Sequence, residues 1–113
     1  MNPGRYNITV YKGTTFQLSP SWMVDNLPVD LTGYSADMQV RDVSNNLITR
    51  ISTSNGKATL TPALGTVNLA LTASDTAALA AGVYNYALNL TDSASNVYQI
   101  LNGTFTVNAS VVQ

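Results

Sequence analysis

Four carboxylates lie between residues 25 and 42: Asp25, Asp30, Asp37 and Asp42. Two such acids facing each other about 5–10 Å apart across a cleft, one with a raised pKa, could hydrolyse a glycosidic bond. Several converging on one point could hold calcium. The spacing develops neither pattern. An EF-hand arrangement is absent, Asp37 falls on the polar face of an alternating stretch, and Asp42 opens a turn. Asp30 precedes Leu31-Thr-Gly33, where a short acidic side chain can bond the following backbone. Turn chemistry is therefore the role expected of these acids. The chain has no His and no Cys. That removes Ser-His-Asp and Cys-His nucleophiles, every zinc site built on those ligands, and any disulfide framework. No catalytic residue, metal or cofactor is expected, and an enzyme is the least expected class.

The aromatic residues Trp22, Tyr34, Tyr84 and Tyr86 could be imagined as a stacking platform for a sugar. Tyr34 and Tyr86 fall on strand faces that call for burial, and a lone Trp in a small β-protein is expected in the core. Asn7, Asn89, Asn102 and Asn108 each begin an Asn-x-Ser/Thr triplet. In a chain this rich in Asn and Thr such triplets arise by chance. The opening MNPGRYNITV carries one Arg and no apolar stretch, so no secretory signal is read there.

Net charge is −1, and only 10% of residues are charged. The five cations, Arg5, Lys12, Arg41, Arg50 and Lys57, are scattered. Nucleic-acid binding draws on clustered Lys and Arg, so no nucleic-acid partner is expected. The longest apolar runs fall far short of the ~20 residues a membrane span needs, so no membrane partner is expected either. The polar surface comes instead from Asn, Thr and Ser, at 12, 14 and 10 residues. A polar but weakly charged surface suits packing against other protein, because little charge must be desolvated.

The elements that must position these groups are strands. Tyr6, Ile8 and Val10 alternate with polar neighbours; Phe16 and Leu18 continue through Trp22, with Pro20 at an edge or a bulge. Tyr34, Ala36, Met38 and Val40 share one face, and Asp37, Gln39 and Arg41 the other. Asp42 to Asn46 turns the chain into a strand at Leu47 to Ile51, and Asn55-Gly56 marks a tight turn. Lys57 to Thr61, then Val67, Leu69 and Leu71, continue the pattern. Thr72-Ala-Ser-Asp75 reads as a capping box, predicting one short helical turn near residues 73–80 with Gly82 as its stop. Tyr84, Tyr86, Leu88 and Leu90 then share a face, and Val97 to Val107 returns with Gly103 as a bulge. No internal repeat is read. The fold expected is all-β, an immunoglobulin-like antiparallel β-sandwich of about 7–9 strands in a single domain over residues 1–113. Residues 1–5 form an N-terminal arm and residues 108–113 a C-terminal tail. Met1, Asn2, Pro3, Gly4 and Arg5, irregular by composition, are the expected protein-interface residues.

Four stretches carry a resemblance: Gly13-Thr-Thr-Phe16; Leu27-Pro-Val-Asp-Leu-Thr-Gly-Tyr34 with Ala36-Asp-Met-Gln-Val-Arg41; Asp75-Thr-Ala-Ala-Leu79 with Gly82-Val-Tyr-Asn-Tyr86; and Leu101-Asn-Gly-Thr-Phe-Thr-Val107. Their order resembles small β-sandwich virion proteins of tailed bacteriophages. It is similar to the amino-terminal domain of baseplate upper proteins and to head decoration (cement) proteins. The resemblance runs from about Tyr6 to Val107, and its motifs fix turns and core positions rather than a reaction. It implies a virion structural protein, assembled in the bacterial host cytoplasm. Baseplate members continue into further regions, whereas this chain stops at Gln113. The expected placement is therefore the capsid exterior, bridging and stabilising neighbouring major capsid subunits, as a homo-oligomer with copies of itself in the virion. A tail or baseplate component, and a carbohydrate-binding or adhesion module, are the alternatives.

Overall fold

The longest alternating stretches form the longest strands. The computed structural model describes residues 4–109. In chain order the strands are β1 (Gly4–Arg5), β2 (Ile8–Tyr11), β3 (Phe16–Leu18), β4 (Met23–Val24), β5 (Leu27–Pro28), β6 (Ser35–Arg41) and β7 (Leu47–Ser52). They continue with β8 (Ala58–Thr61), β9 (Thr66–Leu71), β10 (Gly82–Thr91) and β11 (Val97–Asn108). A 3₁₀ turn, Pro62–Leu64, joins β8 to β9, and helix α1 (Ala73–Ala77) joins β9 to β10. The molecule is all-β. Eight of these strands have three residues or more, and β1, β4 and β5 are two-residue pieces.

The larger sheet runs β1-β11-β10-β6-β7, with β2 also on β11. The smaller runs β3-β9-β8, and β4 and β5 make a separate hairpin. Period-two burial holds through the larger sheet: Ala36, Met38 and Val40 on β6, Tyr86, Leu88 and Leu90 on β10, and Phe105 and Val107 on β11 are all buried. Val67, Leu69 and Leu71 of β9 join them from the smaller sheet in one core cluster. Phe16 meets Phe105 edge to face at 6.0 Å between ring centroids, tying the two sheets together. Each such side chain, fully withdrawn from water, contributes roughly 1.5–3 kcal/mol.

The expected antiparallel order fails at one edge. β1 pairs with β11 in parallel, Gly4 opposite Leu101, and β2 does the same, Ile8 opposite Phe105. Parallel neighbours cannot be joined by a tight turn. Here they come from opposite ends of the described chain, so pairing rules for consecutive strands do not reach them. β1 and β2 amount to one edge strand interrupted at Tyr6-Asn7. The gap is filled by the Tyr6 N–H donating to the Asn102 carbonyl at 2.9 Å and the Thr104 N–H donating to Asn7 Oδ1 at 3.2 Å. Gly103 sits beneath this crossing. It is paired with Tyr86 and is not a bulge; the register slips instead between Leu88 and Asn89, opposite Ile100. Glycine is needed at 103 because a Cβ there would run into the Tyr6 carbonyl. The Tyr86 hydroxyl donates to that same carbonyl at 2.5 Å.

Other expectations are met with local adjustments. The capping box of α1 is complete: Thr72 Oγ1 accepts from the Asp75 N–H at 3.1 Å, and the Thr72 N–H donates to Asp75 Oδ2 at 3.0 Å. The helix is shorter than the predicted 73–80 span; Ala78 caps it, and Gly82 opens β10 rather than ending the helix. Buried Thr76 binds the helix to the first turn, accepting from the Gly13 N–H at 3.0 Å and donating to the Thr14 carbonyl at 2.7 Å. Pro20 proves to be an edge residue that keeps register, since Phe16–Leu71, Leu18–Leu69 and the Ser21–Thr66 bridge form one continuous antiparallel series. The expected loop from Asp25 to Gly33 begins with the turn of the β4–β5 hairpin and includes β5; the two turn residues Asp25 and Asn26 are both at positive φ (53° and 65°). Consecutive left-handed residues make the primed turn that matches strand twist.

The hairpins β6–β7 and β10–β11 share a loop design that composition hides, because only an Asp and an Asn four residues later coincide. Asp42 Oδ1 accepts from the Ser44 and Asn46 N–H groups, both at 2.9 Å. Asp92 Oδ1 does the same with Ala94 and Asn96, again both at 2.9 Å. Each loop has one left-handed residue, Asn45 (φ 67°) or Ser95 (φ 68°).

Two substitutions test this account. Gly103→Ala is expected to cost about 2–3 kcal/mol in urea unfolding, since the edge strand must lift off its crossing point; a loss under about 0.5 kcal/mol would show the crossing to be loose. Ser95→Asn is expected to gain about 0.5 kcal/mol, because Asn tolerates the left-handed region better than Ser. A lower unfolding midpoint would count against the assigned loop conformation.

Candidate protein interface

Most of the acids hold local backbone, and Asp37 holds an arginine. Asp30 accepts from the Thr32 N–H at 3.0 Å and the Thr32 hydroxyl at 2.6 Å. Asp37 takes a two-pronged bond from Arg50 at 2.7 and 2.8 Å, and Gln39 Nε2 donates to it at 2.8 Å. Asp42 and Asp92 close their loops, and Asp75 receives Lys57 Nζ at 2.8 Å beside its capping bonds. Asp25 lies in the β4–β5 turn. Hydrogen bonds to the ionised form hold five of these carboxyls below their ordinary range. The Arg50 guanidinium does so at Asp37, and the Thr32 hydroxyl at Asp30. Loop N–H groups of Asn46 and Asn96 lower Asp42 and Asp92, and the Lys57 ammonium lowers Asp75. A general acid needs the opposite displacement. Among the described residues no three acidic or other metal-ligating side chains come together.

The four aromatics weighed as a platform are split apart. Trp22 and Tyr34 do meet, edge to face at 6.3 Å, and Tyr98 joins Trp22 at 5.4 Å. Tyr98 was not foreseen, because it belongs to the far end of β11. Trp22 is half-buried against the core rather than within it. Tyr84 turns away to donate its hydroxyl to the Ala80 carbonyl at 2.7 Å. Tyr86 is buried, and that burial pushes its phenol up to about 12.

Beside the aromatic cluster an apolar groove runs between the N-terminal edge and the segment after β3. One stretch, about 330 Å³, is lined by Gly4, Pro20, Trp22, Met23, Ile100 and Leu101. The adjoining stretch, about 400 Å³, adds Arg5, Tyr6 and Leu18. Gly65 positions the Trp22 wall. Its carbonyl accepts from the Trp22 N–H at 2.7 Å, and a Cβ at 65 would meet the Trp22 and Val29 carbonyl oxygens. Two large apolar side chains of the lining face solvent: Tyr6 is 51% exposed and Met23 50%. Desolvating such side chains against a partner is favourable, and no charge other than Arg5 lines the groove.

Of the interface residues expected from sequence, Gly4 and Arg5 line this groove. They do so as a strand on β11 and not as the irregular arm anticipated. Met1, Asn2 and Pro3 lie outside the described residues, as do residues 110–113 of the expected tail; Asn108 of that tail is the last residue of β11. The rest of the groove escaped the sequence reading because its walls come from residues 4–6, 18–23 and 100–101, brought together only by the fold.

The lowered carboxyls set an acid limit. A depressed folded-state pKa contributes stability that is present above the unfolded value, near 3.8 for Asp, and lost as pH falls through the folded one. Urea midpoints are expected to hold steady from pH 7 to about 5 and to fall below about pH 4. Asp37→Asn should make the acid limb shallower. A midpoint unchanged between pH 5 and 3 would contradict these assignments. A scan against protein-family models and a search of curated proteins each return no match.

Proposed function

We propose that this protein is a structural component of a tailed-bacteriophage virion. On this reading an immunoglobulin-like β-sandwich serves as a decoration or cement module on the capsid exterior, bridging neighbouring major capsid subunits. The observation that carries the proposal is the apolar groove at the N-terminal edge, with exposed Tyr6 and Met23 in its lining and Arg5 as its one charged lining residue. A partner strand or loop seated there would bury apolar surface and leave few ion pairs to form, so attachment should depend weakly on salt. The motif order from Gly13 to Val107, similar to that of small phage virion proteins, supports the same assignment. The acids support it indirectly: five of the six carboxyls are committed to loops, caps and an ion pair.

The test is co-sedimentation of the purified protein with phage heads lacking it. Met23→Asp places a charge on the groove wall at an exposed position of the short strand β4, where folding is expected to stay intact. This variant is expected to lower binding at least tenfold, whereas Val97→Asp, exposed elsewhere, is expected to bind normally. Binding to heads that Met23→Asp leaves unchanged would exclude the groove. Wild-type protein that associates with tails and not heads would move the proposal to the baseplate.

A further inference from the structure

The outer face of the larger sheet carries a polar depression that the interface does not use. Alternation puts Asp37, Gln39 and Arg41 of β6 on that face, and register sets them opposite Asn89, Ala87 and Asn85 of β10. The β6 side chains form a braced row. Arg50 grips Asp37, Gln39 Nε2 donates to Asp37, and Arg41 Nε and Nη2 donate to Gln39 Oε1 at 3.1 and 2.6 Å. Arg41 Nη1 then donates to the Asn45 carbonyl at 3.0 Å. Next to this row lies a hollow of about 400 Å³ whose lining includes Gln39, Arg41, Val43, Asn85, Ala87 and Asn89. The short Ala87 side chain leaves room between the polar groups. Within that lining, Asn89 Oδ1 is shielded from solvent and meets no donor among the described residues. A shielded acceptor without a donor is unfavourable, and a ligand donor would relieve it.

We propose that this hollow binds a neutral, hydroxyl-rich ligand, a saccharide unit, with Asn89 Oδ1 accepting one hydroxyl. Arg41 spends three N–H bonds within the chain, so its remaining donors, with Asn85, face the sugar's oxygens. Asp37 and Arg50 neutralise each other, and Arg41 is held between Gln39 and Asn45 with Asp42 beside it in the lining. The hollow therefore carries no surplus positive charge for a phosphate. Exposed Val43 at its rim offers an apolar contact for sugar C–H groups. This site is separate from the interface groove and stands or falls on the isolated protein.

The experiment is a ¹⁵N-NMR titration of the purified chain with methyl glycosides of glucose, galactose and mannose, with N-acetylglucosamine, and, separately, with inorganic phosphate. The expected result is saturable shifts for at least one sugar, with a Kd in the millimolar range, at the signals of Gln39, Asn85, Ala87 and Asn89. Asn89→Leu should weaken that sugar at least tenfold with the rest of the spectrum preserved. Asn85→Ala, at an exposed position, gives the same reading should the first variant misfold. The proposal is overturned if no sugar shifts these signals, if phosphate shifts them and sugars do not, or if the shifts gather around Trp22 and Tyr98.

Discussion

The structure depends on one close approach, the passage of Tyr6 over Gly103. The larger sheet would otherwise end at β11 with an open edge and an uncovered flank of core. Because position 103 has no Cβ, the Tyr6 carbonyl can descend onto the strand and accept the Tyr86 hydroxyl. That contact fixes the direction of the edge strand on both sides of the break. Downstream, Ile8 and Val10 are carried beside Phe105 and Val107 and buried with them. Upstream, Gly4 and Arg5 are carried beside Leu101 and Asn102, where they become one wall of the apolar groove. Core closure and the candidate interface thus share a single backbone constraint, and the Tyr86 phenol is buried by the strand it holds.

What sequence shows of this molecule follows from how local each cause is. Period-two burial on β6, β9 and β10 is a property of neighbours along the chain, and it reads directly. The Thr72–Asp75 box is equally local, so the helix start was legible, whereas its stop was not: Gly82 looked like a terminator but serves the next strand. Asp25-Asn26 is a hairpin signal obscured by strands only two residues long. The parallel edge could not be read at all, since it joins residues about 97 apart (Asn7 to Thr104). Gly103 was noticed for a valid reason and assigned the wrong role: a glycine inside a strand signals either a bulge or a close approach, and only the fold decides between them.

The same distinction separates the two surface sites. Interface residues were sought where composition is irregular, at residues 1–5, and two of these, Gly4 and Arg5, do line the groove. Pro20 reads by itself only as a proline at an edge or a bulge, and Ile100 only as part of the returning strand Val97 to Val107. They acquire a common meaning only when three distant segments meet. The polar hollow was half visible, since Asp37, Gln39 and Arg41 are spaced two apart on one strand. Its other half needed the register of β10 against β6.

The paired Asp–Asn clasps have a consequence for how the surface can diversify. In each loop the carboxylate and the amide four residues later complete the hydrogen bonding by themselves, and at the β6–β7 tip Val43, 92% exposed, contributes nothing to that closure. The side chains between clasp partners are thereby largely released from holding the scaffold, apart from the left-handed position and the Asn45 carbonyl that accepts from Arg41. Side chains at these tips can be changed while the sheets beneath keep their hydrogen bonding, giving the molecule two replaceable heads at opposite ends of a fixed handle.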